Sequence, residues 1–469
     1  MIDITGKLWG FCHTLRHDGI DYGDYIEQIT YLLFLKMADE RSLSLPDGCD
    51  WQSLKGKSSL QRTEDYQALL SRLSNEPGLL GDIFTGAISR FQNPANLNKL
   101  VRLIDELEWT SLDVDVKAQA YEGLLEKAAS EGKKGAGQYF TPRVLIQSIV
   151  RVMKPDPRAH RDFTLCDPAC GTGGFLVAAY EWLMEQSQAD GERIRKWTYY
   201  GTELVPRPRR LALMNLFLHG IEGKIRLGDS LYEPDSGERF DVVLTNPPFG
   251  TRGADQAPER DDFRMRTSNK QLNFVQHLMT ILKPGGRAAI VLPDNCLFAR
   301  QAAQLFDGLM EECNLHTILR LPRGTFTPYA PGVNANVIFF TQGRPTENVW
   351  IYDARTQVPP VTKRERPLTS QHFAEFEACY GDDPAVSSLN ALEHREQMAQ
   401  RCERFRKFPI SEINERNYNL DIVWLTDASM ENLPEPEDLA SEALSHLEAA
   451  VGELQRLLRF WESEQGEER

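Results

Sequence analysis

Several short stretches carry residues whose types and spacing suit chemistry. The first is Thr245-Asn246-Pro247-Pro248-Phe249-Gly250, directly after the apolar run FDVVL. Two consecutive prolines end a strand or a helix, because the first lacks a backbone donor and the second forces the first into an extended conformation. The rigid turn holds the Asn246 side-chain carbonyl and a following backbone carbonyl at fixed separation. Two such acceptors match an exocyclic NH₂ group with its two hydrogens. Accepting both draws the nitrogen lone pair out of conjugation and aims it at an electrophile. The proton leaves afterwards, so no general base has to act first. Phe249 adds a stacking face for a planar group such as a base. Read for structure alone, the same residues are a Pro-Pro turn that caps a strand, with Phe249 in the core.

The second stretch is Asp167-Pro168-Ala169-Cys170-Gly171-Thr172-Gly173-Gly174-Phe175, after FTLCD. Its glycines allow a sharp strand-to-helix turn and close backbone approach to a ligand. It does not match the dinucleotide pattern G-x-G-x-x-G, and it lacks the lysine of a phosphate-binding loop. The carboxylate of Asp167 beside the glycines repels a pyrophosphate and attracts a cationic amino group. That favours a cofactor bearing an amino acid, such as S-adenosylmethionine. Glu203, in Gly201-Thr202-Glu203, ends the next β-rich run, where acidic residues hold ribose hydroxyls in nucleotide sites. It lies further along than the spacing of about 20 residues usual there, so the connection between must be long. Asp229-Ser230 ends the run after that, and Asp229 is placed to accept from an adenine amino group. Singly, Glu203 and Asp229 read as solvated loop carboxylates. At the ends of successive strands they form a nucleoside clamp with Asp167, Gly171, Thr172, Gly173, Gly174, Phe175 and Ser230.

The elements that position these residues follow from periodicity. The runs FTLCD, TYYGTE, KIRLG, FDVVLTN, RAAIVLP, HTILRLP and ANVIFFT alternate with helical patterns such as FLVAAYEWLMEQ and PRRLALMNLFLH. Such alternation predicts an α/β fold with a doubly wound, mostly parallel sheet, whose ligands bind outside the carboxyl ends of the strands. Residues 1–133 read as an all-α domain. In DYIEQITYLLFLKMADE, Ile26, Ile29, Leu33 and Met37 share one face with polar residues opposite. The catalytic domain is expected over 134–410 and a C-terminal segment over 411–469. In its closing helix Ala440, Leu444, Leu447, Val451, Leu454, Leu458 and Trp461 form an a/d seam, suited to a partner helix or to packing on its own chain.

Bulk composition narrows the classes. At 469 residues the chain is too long for one core, and 41% hydrophobic with 26% charged residues is ordinary for a globular protein. No apolar run approaches the roughly 20 residues of a membrane span. The start MIDITGKLWGFCHTLRHDG lacks the features of a signal peptide, so a cytoplasmic protein is expected. The eight cysteines show no zinc-finger spacing and read as reduced and structural, and no metal site is expected. A net charge of −15 is the wrong sign for self-sufficient DNA binding, which needs clustered Lys and Arg. The arginines around 207–210 and 401–407 are candidates for phosphate contact or solvated faces. The polar segment 250–270 after the proline turn reads as a flexible loop that orders on a ligand or merely as a solvated one.

Together DPACGTGGF, the two acidic strand ends and NPPF resemble the amino-methyltransferases that use S-adenosylmethionine. GAGQYFTP resembles the segment that closes over the cofactor's methionine end in DNA adenine-N6 methyltransferases, and the motif order is the gamma arrangement. More specifically, nearly all of residues 1 to about 420 resemble the modification (M) subunit of type I restriction–modification systems. Stretches such as AYEGLLEK, ELVPRPRRLALMNLFLHGI and TSNKQLNFVQHLMTILKPGGRAAIVLPDNCLF carry the likeness. The resemblance implies cofactor residues at Tyr139, Phe140, Thr141, Pro142, Asp167, Gly171, Gly173, Glu203 and Asp229, and catalytic residues at Asn246, Pro247, Pro248 and Phe249. It implies methyl transfer to N6 of an adenine flipped out of double-stranded DNA. It also implies that two M subunits join one specificity (S) subunit that reads the sequence, with a restriction (R) subunit added for cleavage. Delegated recognition accounts for the acidic charge. Protein glutamine-N5 methyltransferases share the tetrad but prefer Tyr at its last position and lack the long helical start; a non-catalytic scaffold would not need an intact NPPF. Charged substitutions at Leu447 and Leu454 should disrupt assembly, and unchanged co-purification with a specificity subunit would refute the role given to the terminal helix.

Overall fold

The computed structural model describes residues 20–107, 141–186, 191–249, 257–327 and 332–425, with isolated positions 6, 8, 10, 11, 109 and 123. Tyr139, Phe140 and the heptad seam at 440–461 lie outside the described residues. Met1–Ile422 forms one compact unit, and Val423–Arg469 is a second. No helix among the described residues is long and apolar enough to cross a membrane.

The first described elements are helices α1 (Tyr22–Glu40), α2 (Trp51–Lys55), α3 (Ser59–Leu73), α4 (Leu79–Phe84) and α5 (Pro94–Asp105). Side-chain caps set the starts of α1 and α2, with Asp21 accepting from the Asp24 N–H and Asp50 from the Ser53 N–H, both at 2.7 Å. The one-sided face expected for α1 is not what forms. Every residue from Tyr25 to Ala38 is buried, Glu27, Gln28, Thr30 and Lys36 among them. The polar face is covered because other elements satisfy it. Gln28 donates to the Ile88 carbonyl at 2.9 Å, and Lys36 lies 3.3 Å from both Glu40 and Asp105.

The rest of the unit is built on one nine-stranded sheet: β1 (Leu165–Asp167), β2 (Tyr199–Glu203), β3 (Lys224–Leu227), β4 (Phe240–Thr245), β5 (Leu282–Pro293), β6 (Cys313–Arg320), β7 (Ala335–Gln342), β8 (Asn348–Asp353) and β9 (Phe405–Pro409). Their spatial order is β3-β2-β1-β4-β5-β7-β6-β8-β9. The pairs from β3 through to β5 are parallel, β7 runs antiparallel between β5 and β6, β8 pairs parallel with β6, and β9 closes the edge antiparallel to β8. All seven strands read from the sequence form; β8 and β9 extend the sheet beyond them. Before β1 runs α6 (Arg143–Met153), and between and after the strands run α7 (Gly174–Gln186), α8 (Glu192–Trp197), α9 (Pro206–Leu218), α10 (Lys270–Ile281), α11 (Asn295–Phe298), α12 (Arg300–Glu312), α13 (Gln371–Tyr380), α14 (Leu389–Arg401) and α15 (Ile410–Glu415). Right-handed crossovers put α7 and α9 on one face and α10 and α12 on the other. The chain steps outward from β1 to β3, then returns to lay β4 on the other side of β1. That reversal opens a crevice at the carboxyl ends of β1 and β4.

The structure places both arginine clusters that the sequence singled out. Arg207 pairs with Asp24 at 2.5 Å, Arg209 with Asp82 at 2.9 Å, and Arg210 with Glu27 while donating from Nε to the Ile83 carbonyl at 2.7 Å. The 207–210 cluster therefore docks α9 onto the N-terminal helices rather than onto phosphate, beside the Phe34–Phe217 ring pair at 4.7 Å. In the 401–407 cluster Arg404 donates to the carbonyls of Asp353 and Thr356 and Lys407 pairs with Glu396, while Arg401 and Arg406 are exposed, as on a solvated face. The second half of the segment after the proline turn is not a loose loop. Arg260 donates to the Ser230 carbonyl at 2.8 Å, Asn273 to the Thr267 carbonyl at 2.8 Å, and the Met265 N–H to Gln276 at 2.8 Å. The sheet also holds residues past 410: α15 follows β9 directly, and the Leu420 N–H donates to the Leu297 carbonyl at 3.0 Å. Removing one partner of a buried pair strands the other charge, so Arg210→Ala should destabilise the chain by about 3–5 kcal/mol. An unchanged urea midpoint would show that Glu27 does not depend on it.

Candidate active site

The crevice is closed at its floor by a buried hydrogen bond. Asp167 ends β1 and Thr245 ends β4, and the Thr245 hydroxyl donates to Asp167 Oδ1 at 2.7 Å. The same oxygen accepts from the Ala169 N–H at 3.1 Å, which starts the glycine turn. Asp167 is 2% exposed. Burial pushes its carboxyl up to about 7, with neighbouring Glu203 adding to the rise and the hydrogen bonds from Thr245 and Ala169 opposing it.

Glu203 ends β2, and its two oxygens accept from the Gly171 N–H at 3.0 Å and the Val205 N–H at 2.8 Å. Burial raises this carboxyl too. Gly171 has φ +54°, and nothing lies within 4 Å of where a Cβ would stand, so its backbone borders open space. Gly173, φ +80°, is needed for a different reason: a Cβ there would come 2.9 Å from Leu216 Cδ1 on α9. The Thr172 carbonyl accepts from Asn215 of α9 at 3.1 Å. Gly174 opens α7 against Ile146, and Phe175 turns into the core at 3% exposure. These two seat the loop.

Past β3, Asp229 Oδ1 accepts from the Leu231 N–H at 3.0 Å, and the Asp229 N–H donates to Glu233 at 2.9 Å. The Ser230 hydroxyl is spent on the Pro168 carbonyl at 2.6 Å, which ties the third strand end to the glycine turn. Asp167, Gly171, Glu203 and the Asp229–Ser230 turn therefore share one frame. A buried carboxyl at Asp167 and a half-buried one at Glu203 would hold a cationic amino group and ribose hydroxyls, which fits S-adenosylmethionine.

The proline turn stands on the other wall. Asn246 is half-buried, and its Nδ2 donates to Thr141 Oγ1 at 2.9 Å. Its Oδ1 is buried without a hydrogen-bond partner among the described residues. Of the two proline carbonyls, that of Pro248 already accepts from Gln271 of α10 at 2.5 Å. The backbone acceptor beside Asn246 is thus Pro247, itself buried. The Phe249 ring is half-buried and meets Phe326 edge-on, centroids 5.8 Å apart and planes at 87°. Thr141 and Pro142 stand just before α6.

Thr245, Gln271 and Phe326 were not singled out from sequence. A hydroxyl at the end of the apolar run FDVVLT needs a buried partner, which is a signal for Thr245. Gln271 and Phe326 carry none, because they arrive from α10 and from the turn after β6. All seven described cysteines are buried and unpaired, and burial pushes Cys166 and Cys170 well up, as inert thiols. Folded Asp167 keeps its proton up to about pH 7, whereas the unfolded chain gives it up near pH 4. Its contribution is full below the lower value and lost as the pH climbs to the upper one. Asp167→Asn should therefore gain on the wild type in thermal melting as pH rises from about 5 to about 8; parallel curves would contradict this.

Comparison with known proteins agrees with this geometry. The sequence matches the N-6 DNA Methylase family over residues 112–432 and the HsdM N-terminal domain over residues 4–107. The methylase subunit of the type I restriction enzyme StySPI from Salmonella potsdam is 40% identical over 511 residues, covering 97% of this chain and 95% of that one. The EcoKI methylase subunit from Escherichia coli K12 is 38% identical with the same coverage. The crystal structure of the EcoKI M protein aligns with a TM-score of 0.55 at 35% identity, over 98% of this chain and 96% of that one. A chain solved in work on assembly and conformational transition of the type I R-M system aligns with a TM-score of 0.76 at 27% identity, over 98% of each. This chain belongs to the N-6 DNA methylase family and, within it, to the methylase subunits of type I restriction enzymes.

Proposed function

We propose that this chain, acting as the modification subunit of a type I restriction–modification complex, transfers a methyl group to N6 of an adenine in double-stranded DNA at the crevice between β1 and β4. The observation that carries the assignment to this site is the Asn246 side-chain oxygen, buried and without a partner among the described residues. Leaving such an acceptor unsatisfied costs about 1–3 kcal/mol, so a donor arriving with the substrate recovers that energy. An adenine amino group brings two hydrogens, one for Asn246 Oδ1 and one for the Pro247 carbonyl. Accepting both turns the nitrogen lone pair out of the ring's conjugation and towards the crevice. No residue has to remove a proton first. Phe249, braced edge-on by Phe326, offers its face to the base. The base must leave the duplex to reach this depth.

S-adenosylmethionine supplies an electrophilic methyl group on sulfur when bound. Asp167 would hold its amino group, Glu203 its ribose, Asp229 its adenine, and Gly171 would let the backbone come close. The net charge is −15, and Arg207, Arg209 and Arg210 are spent on internal contacts. Sequence reading therefore falls to a separate specificity subunit, in an assembly with a second copy of this chain, and a restriction subunit joins for cleavage. Asn246→Ala should lower methyl transfer by about a thousandfold or more in the assembled complex while equilibrium cofactor binding is kept. Retained transfer would remove Asn246 from the mechanism.

A further inference from the structure

Thr141 lies in the segment GAGQYFTP, which resemblance assigns to the cofactor. The structure turns its hydroxyl elsewhere, to Asn246 Nδ2 at 2.9 Å. A carboxamide has two unlike ends, and half a turn about its last bond exchanges a donor for an acceptor. With the nitrogen facing the crevice, Asn246 would present donor hydrogens to the hydrogens of an amino group. With the nitrogen held by Thr141, the oxygen is the end that remains, buried and without a partner among the described residues.

The seat of Thr141 is itself anchored. Two residues on, at the start of α6, Arg143 Nη2 donates to both oxygens of Glu181 at 2.8 Å each. Glu181 belongs to α7, the helix that begins at the glycine loop. His219 stands behind it, with Nε2 3.5 Å from Glu181 and Nδ1 2.7 Å from the Asn215 carbonyl. The helix that ends the cofactor loop thus fixes the residue that holds the catalytic amide.

We infer that Thr141 is a positioning residue for methyl transfer, keeping the Asn246 oxygen turned to the substrate. This rests on the reading of Asn246 as the acceptor for the amino group. Thr141→Val keeps the shape and removes the hydroxyl. In the assembled complex at saturating S-adenosylmethionine, its single-turnover methyl transfer should fall about tenfold to a hundredfold. Cofactor affinity should stay within about twofold, and Thr141→Ser, which restores the hydroxyl, should recover most of the rate. Should Thr141→Val melt early, Arg143→Lys serves instead: it breaks the fork on Glu181 and should slow transfer at unchanged cofactor affinity. A full rate in the valine variant, or a deficit cured by more cofactor, overturns the inference. Asn246→Ala separates the two readings. If that variant stays active, the role of Asn246 fails; if it is dead while Thr141→Val is fully active, only the role of Thr141 fails.

Discussion

Asp167 and Thr245 meet where the order of the strands reverses, and the 2.7 Å hydrogen bond between them joins the ends of β1 and β4 at depth. The glycine turn leaves from one side of this bond and the proline turn from the other. Each side of the crevice is therefore referenced to the same buried contact. A shift in its length would move the glycine turn, proposed to hold the cofactor, against the proline turn, proposed to present acceptors to the base. Positioning at this scale matters because a reaction between two bound groups gains most of its rate from near-attack geometry.

Around that contact the site is braced from several directions with polar groups rather than with apolar packing alone. Ser230 ties the third strand end to Pro168, Arg260 ties the segment after the proline turn to Ser230, and Gln271 reaches up from α10 to Pro248. Each bond satisfies a group that folding would otherwise bury unpaired. Asn246 Oδ1, by contrast, is buried without a partner among the described residues, and a donor that arrives with a substrate gains by pairing it.

The N-terminal helices belong to the same frame. Helix α1 is buried along its middle on every side because α9 covers its acidic face with Arg207 and Arg210, and α9 in turn carries Asn215 to the Thr172 carbonyl and Leu216 to Gly173. One helix thus touches both the N-terminal helices and the cofactor loop. These arginines are used inside the fold of an acidic chain.

Much of this was legible in the residues. Strand-helix alternation announced the sheet, and the stretches DPACGTGG and TNPPFG announced the two turns, because prolines and glycines restrict the backbone locally whatever surrounds them. Local patterns could not show that the polar face of α1 is buried, since Asp24 and Glu27 find their arginines about 180 residues away. Nor could they show β8 and β9, or Phe326 beside Phe249, which long-range contacts alone bring into place. Read alone, the sequence determined which groups could bind an amino-bearing base and a charged nucleoside. Only the tertiary structure decided that Thr141 meets Asn246 and that the Asn246 oxygen has no partner among the described residues, because hydrogen-bond partners distant in the chain are chosen by the packing of whole elements.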